Sequence, residues 1–78
     1  MQELIKYVAR SLVDDPTQVE VNEHRYGPTT NIRLRVAKED MGRVIGRRGR
    51  VANAMRVLLR VAAARSQKRA KLDIVEPE

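Results

Sequence analysis

The spacing of apolar residues along the chain changes from the period of a helix to that of a strand. Apolar residues recur three and four positions apart over residues 2–13, which predicts an amphipathic helix that ends at Asp14-Asp15-Pro16. Apolar and polar residues then alternate around positions 18–22 and, more regularly, over positions 31–36, which predicts two strands. The turn sequence Tyr26-Gly27-Pro28-Thr29 between them indicates an antiparallel hairpin with one buried face.

The second half of the sequence predicts two more helices and a last strand. Residues 38–45 have the pattern of a short helix, and Glu39 and Asp40 are expected to favour its start through the helix dipole. Gly46-Arg47-Arg48-Gly49 ends this helix; a longer helix is predicted over about residues 50–66, a strand over 71–75 and a frayed end over 76–78. On the long helix, the residues expected to face the core are Val51, Met55, Leu58 and Ala62, and those expected to face away are Asn53, Arg56 and Arg60.

The predicted order of elements is therefore helix-strand-strand-helix-helix-strand. This order is typical of the α+β class, with the helices on one face of a small three-stranded sheet.

Length and composition restrict the possible functions. The 78 residues bound the chain to a single small domain, 1–78. It has no cysteine and a single histidine, His24, so neither a disulfide framework nor a metal site or other cofactor is expected. Ser11 and Ser66 have no base beside them, and an enzyme is not expected. The start of the sequence lacks a secretory pattern and the longest apolar run is 61–64, so we expect a cytoplasmic protein without membrane insertion.

The positive charge is concentrated in one part of the sequence. The chain has 16 Lys and Arg against 10 Asp and Glu, a net charge of +6. Residues 1–37 hold five of each sign, residues 38–71 hold eleven basic and two acidic residues, and residues 72–78 hold three acidic residues. A local excess of this kind indicates a polyanionic partner, with nucleic acid ahead of an anionic membrane surface.

The glycine-rich segment lies within this basic part. Gly46 and Gly49 permit backbone angles that other residues avoid, and the long helix is predicted to begin directly after them. The first N–H groups of a helix lack partners within it and carry the positive end of its dipole, so they form a natural phosphate site. Arg47, Arg48 and Arg50 add positive charge around that site. The alternative is an ordinary connection between two helices with solvated arginines.

Together with the order of elements, the segment Glu39-Asp40-Met41-Gly42-Arg43-Val44-Ile45-Gly46-Arg47-Arg48-Gly49-Arg50 resembles the KH domain. The extra helix and strand precede the core unit of residues 31–75, as in the bacterial type II arrangement. The chain looks most like the KhpA family of small stand-alone KH proteins. The GxxG loop of a KH domain, here residues 46–49, clamps the backbone of about four nucleotides of a single strand.

The resemblance implies a set of RNA-binding residues. Gly46, Arg47, Arg48 and Gly49 would hold the sugar-phosphate backbone, beside Arg50. Val44 and Ile45 would pack at the base of the groove. The last strand would form its other wall, where Leu72 and Ile74 are candidates and Lys71 is a candidate phosphate contact.

The resemblance also implies partners and a role. Members of the KhpA family are cytoplasmic RNA-binding proteins that pair with themselves or with a KhpB/Jag-type KH protein and affect RNA fate, cell growth and cell shape. We therefore expect a post-transcriptional regulator or RNA chaperone that binds single-stranded RNA. The alternative is an adaptor whose KH fold mainly recruits a partner protein. Single-stranded DNA stays open as a ligand, because the clamp contacts the backbone.

Several other features have two interpretations. Val57 and Val61 form a second apolar stripe on the long helix, either as part of a wide core face or as a surface for self-association. Arg33 and Arg35, like Arg56 and Arg60, are interpreted as solvated, with an extra RNA contact as the alternative. The cluster of Arg65, Lys68, Arg69 and Lys71 is equally compatible with phosphate contact. With Tyr7 and Tyr26 as the only aromatic residues, base stacking as in RRM or OB folds is poorly supported.

Replacing Gly46 and Gly49 by Asp is expected to abolish RNA binding without disturbing the fold.

Overall fold

The computed structural model of the chain describes residues 1–76 and contains the six predicted elements in the predicted order. They are α1 (Gln2–Leu12), β1 (Glu20–Tyr26), β2 (Thr29–Arg35), α2 (Met41–Ile45), α3 (Arg50–Arg65) and β3 (Arg69–Val75). Short 3-10 segments lie at Pro16–Gln18, Lys38–Asp40 and Arg47–Gly49. The predicted α+β class is confirmed. Of the frayed end predicted for residues 76–78, the last two residues, Pro77 and Glu78, lie outside the described residues.

The sheet has the order β1-β2-β3, with β2 in the centre. β1 and β2 pair antiparallel with Tyr26 opposite Thr29, which confirms the predicted hairpin. β2 and β3 pair parallel with Thr29 opposite Arg69, a pairing that requires a long crossover, here through α2 and α3. β3 begins two residues earlier than predicted. A contact with a distant part of the chain explains the early start: the N–H group of Arg69 donates a hydrogen bond of 2.8 Å to the carbonyl of Pro28 in the hairpin turn.

The helices cover one face of the sheet and form the core with it. Ile32, Leu34 and Val36 are fully buried, as their alternation with polar residues predicts. From the helix layer, α1, α2 and α3 contribute buried side chains to the same cluster: Ile5, Ala9, Val44, Met55 and Leu59. Within residues 1–76, the other face of the sheet carries no helix, and most of its side chains are polar.

The core face of α3 is rotated from the one expected. The buried residues are Ala52, Met55, Leu59 and Ala63. The prediction that Leu58 faces the core is wrong, because this side chain is 47% exposed. The alanines explain the difference, since their small side chains fit where the helix packs on the sheet but contribute little to a pattern of large apolar residues.

A buried carboxylate links α2 to the end of α1. Asp40 is 3% exposed and accepts hydrogen bonds from the backbone N–H groups of Asp14 and Asp15, at 3.2 and 3.3 Å. Arg43 joins the same cluster with Nε 3.5 Å from Asp40 and Nη2 2.9 Å from the carboxylate of Asp14. The expected role of Asp40 at the helix start is therefore incomplete. Its side chain caps no N–H group of α2 and instead holds the loop after α1 against the start of α2.

Replacing Asp40 by Ala is expected to lower the free energy of unfolding by about 2 kcal/mol, because two backbone N–H groups lose a charged acceptor. Urea denaturation at neutral pH measures the change. Glu39→Ala is the matched control, since Glu39 is the exposed neighbour and its loss is expected to change stability by less than about 0.5 kcal/mol. Equal midpoints for the two variants would show that the Asp40 contacts contribute nothing.

Candidate nucleic-acid interface

The turn between α2 and α3 is built from residues with left-handed backbone angles. Gly46, Arg48 and Gly49 have φ values of 77°, 57° and 75°. The N–H group of Gly46 donates to the carbonyl of Gly42 at 2.9 Å and closes α2, and the N–H group of Gly49 donates to the carbonyl of Gly46 at 3.1 Å. The chain therefore reverses within four residues, and α3 begins immediately after the reversal.

The two glycines of this turn are not equivalent. A Cβ atom on Gly46 would lie 2.5 Å from Val51 Cγ2 and 2.9 Å from the Val51 backbone nitrogen, which is closer than atoms can approach. A Cβ atom on Gly49 would find its nearest neighbour, Asn53 Nδ2, at 3.9 Å. The expectation that Asp at both positions leaves the fold undisturbed is therefore wrong for Gly46.

Positive charge surrounds the start of α3. Arg47, Arg48 and Arg50 are exposed, and no carboxylate within residues 1–76 forms an ion pair with them. Gly49 occupies the N-cap position, so no side chain of the described residues accepts a hydrogen bond from the first N–H groups of α3. The N–H group of Arg50, the first residue of α3, donates to the carbonyl of Arg47 within the turn. An anion at this end would meet the positive end of a 16-residue helix and three guanidinium groups.

A groove of about 390 Å³ runs between α3 and β3. It is lined by Arg56, Arg60, Ala70, Lys71, Leu72 and Asp73. Arg56 is half-buried there, with Nη2 3.5 Å from the carbonyl oxygen of Leu72 and Nη1 3.3 Å from Oδ1 of Asn53. Because β3 is an edge strand, alternate backbone groups on its outer side have no strand partner, and the Leu72 carbonyl is one of them.

A second cleft of about 330 Å³ extends this groove toward the start of β3. Its lining residues are Arg60, Lys68, Arg69, Ala70 and Lys71, so it shares three of them with the first cleft. We call the two clefts together the β3 groove. Arg56 lies seven residues after Gly49, which corresponds to about 10 Å along the axis of α3. The glycine turn and the β3 groove are therefore consecutive parts of one surface.

The structure separates the predicted site residues into three groups. Gly46, Arg47, Arg48, Gly49 and Arg50 form the turn and the start of α3, and Lys71 and Leu72 line the β3 groove. Ile45, beside the turn, is 37% exposed, and Ile74 packs partly buried against the core. Val44 is fully buried, so it supports the turn from within the core and presents no surface to a ligand.

The interpretation of Arg56 and Arg60 as solvated is incomplete, because the structure places both on the wall of the groove. Their spacing of four residues on α3 puts them on one side of the helix. The sequence contained that signal, but it did not show that this side faces β3.

An apolar stripe remains exposed elsewhere on α3. Val57, Leu58 and Val61 are 49%, 47% and 52% exposed, so the interpretation of the second stripe as part of a wide core face is wrong. Within residues 1–76 there is no group of three or more side chains placed to hold a metal ion, and none of the helices there is long and apolar enough to cross a membrane.

Comparison with known proteins identifies a family for nearly the whole chain. A family model described as KhpA/KhpB, KH domain matches residues 2–74. The RNA-binding protein KhpA of Caldanaerobacter subterraneus is 48% identical over 75 residues, covering 96% of this chain and 100% of the relative. The RNA-binding protein KhpA of Treponema pallidum is 47% identical, and the match covers 96% of this chain and 94% of the relative. The RNA-binding protein KhpA of Halalkalibacterium halodurans is 42% identical, and the match covers 97% of this chain and 100% of the relative.

These matches agree with the architecture. α1 and β1 precede the β2-α2-α3-β3 unit, and β2 and β3 are parallel, which is the type II KH arrangement expected from the sequence. The KH family is not enzymatic, so the prediction of a protein without enzyme activity is also confirmed. The chain belongs to the KhpA/KhpB family of KH domains.

Proposed function

We propose that this protein binds single-stranded RNA in the cytoplasm, with the glycine turn on the sugar-phosphate backbone and the bases along the β3 groove. The observation that carries the proposal is the start of α3, which has no side-chain cap and where three exposed arginines meet at one turn. The names of the relatives, which are RNA-binding proteins, give independent support.

The two parts of the surface have different roles in this proposal. At the turn, Arg47, Arg48 and Arg50 neutralise phosphates, and the lack of a side chain at Gly46 and Gly49 lets the RNA backbone come close. In the groove, the guanidinium of Arg56 lies beside the outer edge of β3, and Lys71 is one of the lining residues. A base inserted there meets both side-chain donors and unpaired backbone groups of the edge strand. About four nucleotides occupy such a site.

The unit that does this is residues 1–78 acting as one KH domain, with the core unit 31–75 and the loop 46–49. One groove neutralises few phosphates, so binding by a single copy is weak and depends on salt. A partner that brings a second groove raises the affinity through avidity.

The apolar stripe of Val57, Leu58 and Val61 supports such pairing. We propose that it binds either a second copy of the chain or a KhpB/Jag-type KH protein, and that the paired protein acts as a post-transcriptional regulator or RNA chaperone. The same stripe favours the second candidate function, an adaptor that mainly recruits a partner protein. Recovery of RNA crosslinked to the protein in cells distinguishes the two.

Replacing Arg48 by Asn separates RNA binding from folding. Arg48 has left-handed backbone angles, which Asn adopts more readily than Arg, so the free energy of unfolding is expected to stay equal or to rise by up to about 1 kcal/mol. Affinity for a short single-stranded RNA is expected to fall about tenfold, since one charge-assisted contact is lost. The slope of log K against log salt is expected to become shallower by about 0.7. Fluorescence anisotropy and thermal denaturation measure these changes.

Arg10→Gln is the control for this prediction, because it removes one exposed positive charge from α1, away from the turn. Its affinity for RNA is expected to stay within a factor of two of the unmodified protein. If Arg48→Asn folds and binds RNA as well as Arg10→Gln does, the turn is not the binding site.

The double replacement of Val57 and Val61 by Gln is expected to shift the protein from dimer to monomer at micromolar concentration. Both side chains are about half exposed, so the folded monomer is expected to lose little stability. Sedimentation measures the mass. Tyr7→Gln is the control, since Tyr7 is a 74% exposed apolar residue on another helix. A monomeric mass for the unmodified protein would exclude self-association at these concentrations, and an unchanged dimer in the double variant would exclude this stripe as its surface.

A further inference from the structure

The helix-free face of the sheet has a cationic end next to the hairpin turn. Strand register places two rows across this face there: Tyr26, Thr29 and Arg69 in the first, and His24, Asn31 and Lys71 in the second. Neither row contains a carboxylate. We call these six residues the turn-end patch.

The opposite end of the same face is different. There the rows are Asn22, Arg33 and Asp73, and Glu20, Arg35 and Val75. Each arginine is in a row with an acid, and Arg35 Nη1 lies 3.8 Å from the carboxylate of Glu20. The unbalanced positive charge of this face therefore lies at the turn end.

The turn-end patch is continuous with the β3 groove around the edge of the sheet. Arg69 and Lys71 belong by register to the helix-free face, and both also line the groove on the other side of β3. Lys68 lies directly before them and lines the same cleft. No ion pair within residues 1–76 engages these three cations. Among the residues that line the β3 groove, the one carboxylate is Asp73, in the first cleft with Arg56. An anionic chain that continues past Arg60 therefore meets no further acid among the lining residues before it reaches the patch.

The patch also has groups that suit a nucleotide base. Tyr26 is 67% exposed, and its ring lies in the same row as Arg69, two strand spacings or about 10 Å away. Bases of single-stranded RNA stack on tyrosine rings and on arginine guanidinium planes. In the second row, Asn31 lies between His24 and Lys71, and its side-chain oxygen is buried and accepts no hydrogen bond from residues 1–76.

We propose that the turn-end patch is a second RNA contact surface, which holds the part of the strand that leaves the β3 groove at Lys68 and Arg69. The proposal rests on the RNA binding proposed above and extends it. RNA bends around the edge strand β3, Arg69 and Lys71 hold its phosphates at the bend, and Tyr26 stacks with a base beyond it. The RNA bound by one copy is therefore longer than the four nucleotides of the groove.

Nuclear magnetic resonance titration with two RNA lengths tests the proposal on the full chain. The probes are random-sequence single-stranded RNAs of four and twelve nucleotides. The tetramer is expected to shift the backbone amide signals of residues 46–50 and of the β3 groove, and to leave those of Tyr26 and Asn31 unchanged. The dodecamer is expected to shift both sets.

A pair of double variants gives the matched comparison. Tyr26→Ser with Arg69→Gln is expected to bind the dodecamer at least fivefold more weakly than Arg69→Gln alone, through one lost stacking contact. Because Arg69 also lines the β3 groove, the tetramer is compared between these two variants and is expected to bind both equally. Tyr7→Ser with Arg35→Gln removes the same two residue types from outside the path and is expected to bind both RNAs as the unmodified protein does.

The outcomes separate this proposal from the one on which it rests. If the dodecamer shifts residues 46–50 but not Tyr26 and Asn31, or if Tyr26→Ser with Arg69→Gln binds it as tightly as Arg69→Gln alone does, the second surface is refuted and the groove stands. If neither RNA shifts residues 46–50, both proposals fail. If the signals of the patch shift with protein concentration in the absence of RNA, its occupant is a second copy of the chain and the proposal is overturned.

Discussion

The close contact between Gly46 and Val51 fixes the direction in which the chain leaves α2 and enters α3. Because the space beside Gly46 is filled by Val51, the turn can be closed only by a residue without a side chain. The same left-handed angles leave the N-cap position of α3 to Gly49, which has no side chain to occupy the first N–H groups. One backbone constraint thus closes the fold and leaves the start of α3 without a side-chain cap. In the RNA-binding site that we propose, the arginines add their positive charge to the positive end of this helix.

The contacts around Asp40 hold this turn in place from its other side. α2 has only five residues, too few for a stable helix on its own. Its start is held by the buried Asp40 carboxylate against the loop after α1, and its end by the packing of Val44 in the core. The crossover from β2 to β3 therefore has two fixed points before the turn. Because the protein backbone before the turn is already fixed, less conformational entropy of the protein would be lost if RNA bound there.

The sequence predicts those parts of the structure that depend on local pattern. The prediction of β2 is correct because Ile32 and Leu34 alternate with polar residues on a strand that has one face toward solvent. The predicted core face of α3 is wrong because apolar residues occur around most of this helix. Whether Leu58 or Leu59 is buried depends on how the helix packs on the sheet. The early start of β3 and the role of Asp40 depend on partners far away along the chain. The position of the glycine turn was predictable, whereas the placement of Arg56 at the groove required the relative orientation of α3 and β3.

The ion pairs complete the interpretation of the net charge of +6. Within residues 1–76, the carboxylates that form ion pairs are engaged by three arginines, Arg25, Arg35 and Arg43. None of these lies in the glycine turn or the β3 groove. The acids thus neutralise positive charge around the hairpin and the start of α2, and the cations of α3 and β3 remain without acidic neighbours in ion-pair distance. A polyanion is attracted more strongly to cations that have no carboxylate beside them than to cations already held in ion pairs. The RNA-binding surface that we propose therefore depends on where the acidic residues lie as much as on where the lysines and arginines lie.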